Sequence, residues 1–465
     1  MKAKTSPAPQ KAEQKPQKKL LFVVIFLLFA IGFMVYRITG TLSGSRTNPQ
    51  LRVSDDLVIN TPPLPQTGDI TALQERLYKV ADRSRALATS ETIDRGEWLE
   101  FAREAGLAGD TLTAYYALQV GNSMTPNPAV YEPLGHIEVQ LCLFNNALGT
   151  YTAMAQVPDL RLASQLGLSR AYSGLQQNER AMEILHSVEK TLSPTDFAGH
   201  MEVAIALEEH GQQAEAIEPM RKAHTIAPEN STITRRLAFV LHNRQQFAEA
   251  QSLLEALLGK EKEEEAARTH LLLAKLFRNP LNTHKDLALA ESHLLLALQV
   301  ESQKRDALKS LGELLLEQNR IRPALALYSQ LLILAPNDGS LRLKFANAYL
   351  RLGDTANGNA QREIAQVLIE QERRAEGLIT LRNQKPMEPQ THLALGKCYR
   401  EQGKTALALA SFQTAYALSQ GGKKAEEELK NLYESLKVPL PPYKEMISIA
   451  IEPLSSRPVK RHIWR

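Results

Sequence analysis

Cysteine is nearly absent from this chain. Cys142 and Cys398 are its two, and no CxxC pair exists to hold a zinc or iron–sulfur knuckle. Aromatic residues make up 6%, and no stretch rich in β-branched and aromatic residues competes for a sheet. There is no HExxH, GxSxG or paired acidic metal motif, and the eleven histidines are scattered singly. Neither metal ligation nor nucleophilic hydrolysis therefore has a starting constellation, so no cofactor and no catalytic residue is assigned. The nearest approach to a nucleotide signature is Gly403-Lys404-Thr405, the end of a phosphate-binding loop. Cys398 stands where its leading glycine is needed, and the preceding segment reads as helix instead of strand, which makes Gly403 an inter-helix turn.

Charge is weak and unevenly spread. Residues 1–19 carry six Lys and one Glu, and 455–465 carry four basic residues and no acid. Removing those ten bases and one acid from totals of 55 and 51 leaves 45 and 50 for the middle. The body is mildly acidic, so no nucleic-acid partner is expected.

What is present falls into segments. Residues 1–19 read as a disordered basic tail. From Leu20 to Tyr36 runs a 17-residue stretch without a charge, extended by Ile38 beyond Arg37. This is predicted to be a transmembrane helix over 20–38 in contact with the lipid bilayer, and no small-x-small cleavage site follows it. The lysines ahead of the span favour a cytoplasmic N-terminus and an extracytoplasmic body, as in a single-pass protein of a bacterial inner membrane. Residues 39–68, rich in Ser, Thr, Asn and Pro, read as a linker. Asp69 can start a helix over 69–94 with Ile70, Leu73, Leu77 and Val80 on one face.

The body is organised by a period of 34. Arg305–Asp338 and Gly339–Gln371 align so that Leu311-Gly312 meets Phe345-Ala346, Leu315 meets Tyr349 and Asn319 meets Gly353. Small residues in a first helix recur at Ala102, Gly135, Ser169, Ala204, Ala238, Ala274, Gly312, Ala346 and Gly396. Matching alanines in a second helix fall at Ala114, Ala147, Ala181, Ala216, Ala250, Ala290, Ala324 and Ala408, each followed four residues later by a bulky side chain such as Tyr151, Met220, Tyr328 or Phe412. Such a pattern predicts an all-α helix-turn-helix solenoid over 95–420, closed by a cap helix over 421–437 and a proline-punctuated basic tail over 438–465. That tail is either disordered or a short docking peptide. Three irregularities stand out: four extra residues between Arg278 and Asp286, Pro219 inside a second helix, and the stretch Ala360–Asn383, which is one long helix or two stacked ones. Because units of a solenoid touch their neighbours, a bridge between Cys142 and Cys398 is not expected.

This pattern resembles the tetratricopeptide repeat family. The resemblance implies a binding solenoid whose first helices line a concave wall. Carried onto this sequence, the exposed wall positions include Arg235, Arg236, Arg268, Lys275, Arg278, Lys309, Lys344, Asn347, Arg351, Lys397 and Arg400, with fewer acids among them, such as Glu208, Asp306, Glu313 and Glu317. One reading is a groove for an acidic or carboxylate-ended protein or peptide partner. The other is a solvated face tied by salt bridges between adjacent repeats. The family's carboxylate clamp is not matched, so chaperone tails are not the expected partner. Function on this reading is a membrane-anchored protein–protein interaction scaffold; the alternative is an envelope assembly factor that binds clients transiently, and an enzyme is not expected.

Overall fold

The computed structural model describes residues 52–53, 59, 64, 70–90, 94–123 and 128–451. The expected tail 1–19, the transmembrane helix 20–38, most of the linker, Asp69 and the final residues 452–465 lie outside the described residues. Among those described there is no strand, and no helix is long and apolar enough to cross a membrane.

After α1 (Thr71–Ala88) the described chain folds into nine antiparallel helix pairs. They are α2 (Arg95–Ala108) with α3 (Thr111–Ser123), α4 (Pro128–Gln140) with α5 (Phe144–Met154), and α6 (Arg161–Gly174) with α7 (Asn178–Thr191). Next come α8 (Phe197–Glu209) with α9 (Gln213–Ile226), α10 (Ser231–Asn243) with α11 (Phe247–Leu257), and α12 (Glu263–Arg278) with α13 (Leu287–Ala297). The last three are α14 (Lys304–Glu317) with α15 (Ile321–Leu334), α16 (Gly339–Arg351) with α17 (Thr355–Gln384), and α18 (Pro389–Glu401) with α19 (Thr405–Leu418). Two further helices, α20 (Lys423–Ser435) and α21 (Tyr443–Ile451), follow. This is an all-α helical-repeat solenoid.

The period of 34 has a direct packing cause. Each second-helix alanine of the pattern is fully buried, and its bulky partner one turn on is buried too. The bulky ring lies on the small residue of the first helix in the same pair. At Gly135, Gly312 and Gly396 an added Cβ would stand 2.6 Å from Tyr151, 2.6 Å from Tyr328 and 2.5 Å from Phe412. A small residue is what lets the two helices approach that closely. Most inter-helix turns pass through one left-handed residue, a glycine at Gly353 and Gly403 but a side-chain-bearing residue at Gln176, Gln245 and Asn319. Gly403 thus turns the chain between two helices, and no strand precedes Lys404.

The irregularities take definite forms. The 30 residues Thr355–Gln384 make one continuous helix, capped by the Asp354 carboxylate on the Asn357 amide at 3.1 Å. α9 runs through Pro219, whose side chain is buried. The extra residues after Arg278 fold back on the end of α12: buried Asn282 donates to the Leu276 carbonyl at 3.0 Å, and the Asp286 amide donates to Phe277 at 2.9 Å.

The solenoid curls until its end meets its beginning. α21 packs on α3, and one apolar cluster joins Trp98, Leu112 and Leu134 to Phe412, Tyr433 and Met446. Polar contacts cross the same seam. Gln74 Nε2 donates to the Leu436 carbonyl at 2.9 Å, and Asp110, fully buried, accepts from Gln413 at 2.7 Å and from the Tyr433 hydroxyl at 2.9 Å. This departs from the expectation that units touch only sequence neighbours. It also removes the argument that kept the two cysteines apart, although Cys142 and Cys398 are both free thiols. The segment 438–451 is likewise no loose tail: its helix buries Tyr443, Met446 and Ile449 in the seam. Even the linker is partly docked, since Val53 is buried against α13.

Candidate partner-binding groove

The first helices α10, α12 and α14 stand side by side and supply a common wall. Asn230 starts α10 by accepting from Thr232 and Ile233 at 3.1 and 3.3 Å. α12 opens on Glu263-Glu264-Glu265 and ends on Lys275 and Arg278, the charge order its dipole favours. Between these helices lies an open cavity of about 690 Å³, lined by Phe239, His242, Leu272, Lys275, Asn279 and Lys309 among others. Lys275 Nζ sits 4.7 Å from the centre of the Phe239 ring. Such a contact holds an ammonium in place without neutralising it. Asn279 Nδ2 lies 3.2 Å from His242 Nε2. Burial, and secondarily the Lys275 charge, lowers the pKa of His242, so at neutral pH it serves as an uncharged hydrogen-bonding group.

The eleven basic and amide positions expected on the wall have different fates. Arg235 is buried between Glu261 and Glu265 and faces no groove. Arg236 pairs with Glu208 at 2.8 Å, and Arg268 with Glu265 at 3.2 Å. Arg278 reaches Glu313 at 2.9 Å and Glu317 at 2.6 Å, while Lys344 closes on Glu313 from the next repeat. Burial alone would raise the Glu313 carboxyl, but Lys344 and Arg278 outweigh it and hold it below its ordinary value. Asn347 accepts from Arg362 at 3.3 Å, and Arg351 donates to Asn319 Oδ1 at 2.9 Å. Lys397 and Arg400 share Glu428 at 2.9 and 2.6 Å. Among the described residues, Lys275 and Lys309 have no carboxylate within ion-pair distance, and both line the cavity.

The wall is thus mostly a ladder of ion pairs; among the described residues Lys275 and Lys309 stand outside it, and Arg351 is held by Asn319 and the Leu316 carbonyl instead of an acid. What the charge-based reading overlooked is the aromatic floor. Phe239 follows Ala238 as Lys275 follows Ala274, so the two hold the same position in adjacent repeats. The frame pointed to Phe239; its lack of charge hid it.

Family models described as tetratricopeptide repeat match residues 207–276 and 343–423. The chain contains tetratricopeptide repeats. The first match runs through α10 and most of α12, and so covers Phe239 and Lys275. No curated protein sequence matches the chain. Solved structures similar to it include pilF of Pseudomonas aeruginosa, at 18% identity and a TM-score of 0.34, covering 44% of this chain and 89% of that one. YrrB, described as a tetratricopeptide protein with an unusual peptide-binding site, is 16% identical with a TM-score of 0.30 and covers 39% of this chain and 90% of its own. The Cut9–Hcn1 hetero-tetramer is 12% identical with a TM-score of 0.32 over 73% and 76% of the two chains.

Proposed function

We propose that this tetratricopeptide protein is a membrane-tethered interaction scaffold, and that the cavity around Phe239, Lys275 and Lys309 takes an acidic or carboxylate-ended peptide. The observation that carries the reading is the contrast within one wall. Its other cations are matched by acids or by polar groups, whereas Lys275 and Lys309, on an open and partly apolar cavity that Asp306, Glu313 and Glu317 also line, have no carboxylate within ion-pair distance among the described residues. Charge-assisted hydrogen bonds to a ligand carboxylate are the strong contacts two such ammonium groups can make, and Phe239 and Leu272 would cover apolar parts of the same ligand.

Tethering rests on the charge-free run Leu20–Tyr36 and the lysines before it, which favour a cytoplasmic N-terminus and an extracytoplasmic body. A tether confines the scaffold to a surface and raises the local concentration of whatever it binds. Fluorescence anisotropy with a labelled Glu/Leu decapeptide bearing a free carboxyl terminus tests the groove. Lys275→Glu with Lys309→Glu weakens binding at least about tenfold, as the loss of two charge-assisted contacts requires. Equal binding by the double variant rejects the reading. Protease access to the body in spheroplasts but not in intact cells tests the orientation.

A further inference from the structure

A second site lies on a second helix, away from the groove wall, and Val53 of the same chain sits in it. The Val53 amide donates to Glu291 Oε1 at 2.8 Å, and the Val53 carbonyl accepts from Arg320 Nη2. Arg320 Nη1 in turn lies 2.9 and 3.0 Å from the two Glu291 oxygens. The carboxylate and the guanidinium together read both backbone groups of a single residue. Val53 is 7% exposed, and Ile59 packs against the same apolar cluster. Backbone pairing with an apolar side-chain pocket is how edges recognise extended peptides.

Glu291 is out of pattern for its position. It follows the buried Ala290, and the residue after the matching small residue is uncharged in every other pair, as at Tyr115, Met182, Gln251 and Leu325. Its side chain is 1% exposed. A carboxylate that deep is held only where a close cation and full hydrogen bonding offset the loss of water. The Val53 amide is one of the donors that satisfies it.

We infer that Glu291 and Arg320 form a peptide-binding notch specific for a segment with a β-branched apolar residue, and that Val53 of the same chain is its tethered occupant. Val53 then fills the notch in cis, in competition with any free peptide. A flexible tether presents its segment at an effective concentration of about millimolar, enough to exclude a free peptide of moderate affinity. The inference does not depend on what the groove binds.

The test uses the full chain and a fluorescein-labelled peptide of residues 49–60. Val53→Asp in the protein places a like charge beside Glu291 and empties the notch. The released protein binds the peptide at least about tenfold more tightly than the unaltered chain, Val53→Asp in the peptide removes binding, and Lys275→Glu with Lys309→Glu leaves it unchanged. Hydrogen exchange at the backbone amide of residue 53 rises in the released protein. Equal binding to both proteins, binding to neither, or indifference to the peptide substitution overturns the inference. Circular dichroism matching the unaltered chain establishes that the released protein is folded.

Discussion

The Tyr328 ring lies across Gly312, so that a methyl group added there would stand 2.6 Å from its Cε1 atom. Tyr328 is fully buried and has no room to swing aside. Gly312→Val therefore destabilises the protein by about 1–3 kcal/mol, the usual cost of overpacking. Tyr328→Phe does not, because the hydroxyl has no hydrogen-bond partner where it is buried. Urea denaturation of the two variants checks both halves.

Closure of the ring depends on Asp110. Its carboxylate accepts from the Thr113 amide at 3.0 Å, from Gln413 at 2.7 Å and from Tyr433 at 2.9 Å, tying α3 to α19 and α20. Asp110→Ala strands buried donors on both sides of the seam, at about 1–3 kcal/mol for each. The variant loses stability and its ends part, which small-angle scattering records as a larger radius of gyration. An unchanged radius would show that apolar contacts alone hold the seam.

Arg235 and Lys275 separate stability from binding. Arg235→Ala leaves Glu261, which is 4% exposed, without its closest cation; breaking a buried pair this way costs roughly 3–5 kcal/mol. Lys275→Ala removes an ammonium that pairs with no acid among the described residues, and its effect on stability stays within about 1 kcal/mol, the worth of its contact with Phe239. Thermal melts beside peptide titrations distinguish the two.

His270 and His293 meet in the core with their Nδ1 atoms 2.9 Å apart. Burial pushes the pKa of His270 down from 6.5 to about 4, and burial followed by the neighbouring His270 takes His293 to about 3. Both folded values lie below the unfolded one, so the unfolded chain takes up protons first. The contribution to stability is complete above pH 6.5 and is lost progressively as pH falls from 6.5 through 4 towards 3. His293→Phe keeps the stack on Phe277 and makes the decline shallower. Denaturant midpoints at neutral and mildly acid pH measure it.

Gln245 holds a left-handed turn at φ 62°. That conformation costs a side-chain-bearing residue roughly 1–2 kcal/mol, of which glycine gives back part through its greater unfolded-state freedom. Gln245→Gly accordingly raises stability by about 0.5–1 kcal/mol, seen as a higher melting temperature.

Repeat architecture was written in the chain because it rests on local chemistry. A small residue, a bulky one and a turn recur at 34, and each acts within its own helix pair or on the next, so spacing along the sequence is enough to find them. Gly312, Ala324 and Tyr328 needed no coordinates. Neutralisation of charge is a different matter. Arg278 and Lys344 meet the same Glu313 from opposite sides, 35 and 31 residues away, while Lys275 meets none among the described residues; only the rotation between successive repeats decides which charges come within reach. The same holds over longer distances. Asp110 and Tyr433 are 323 positions apart, and Val53 and Glu291 are 238 apart. Small rotations summed over nine helix pairs bring the first onto the last, and no periodicity in the residues records that sum.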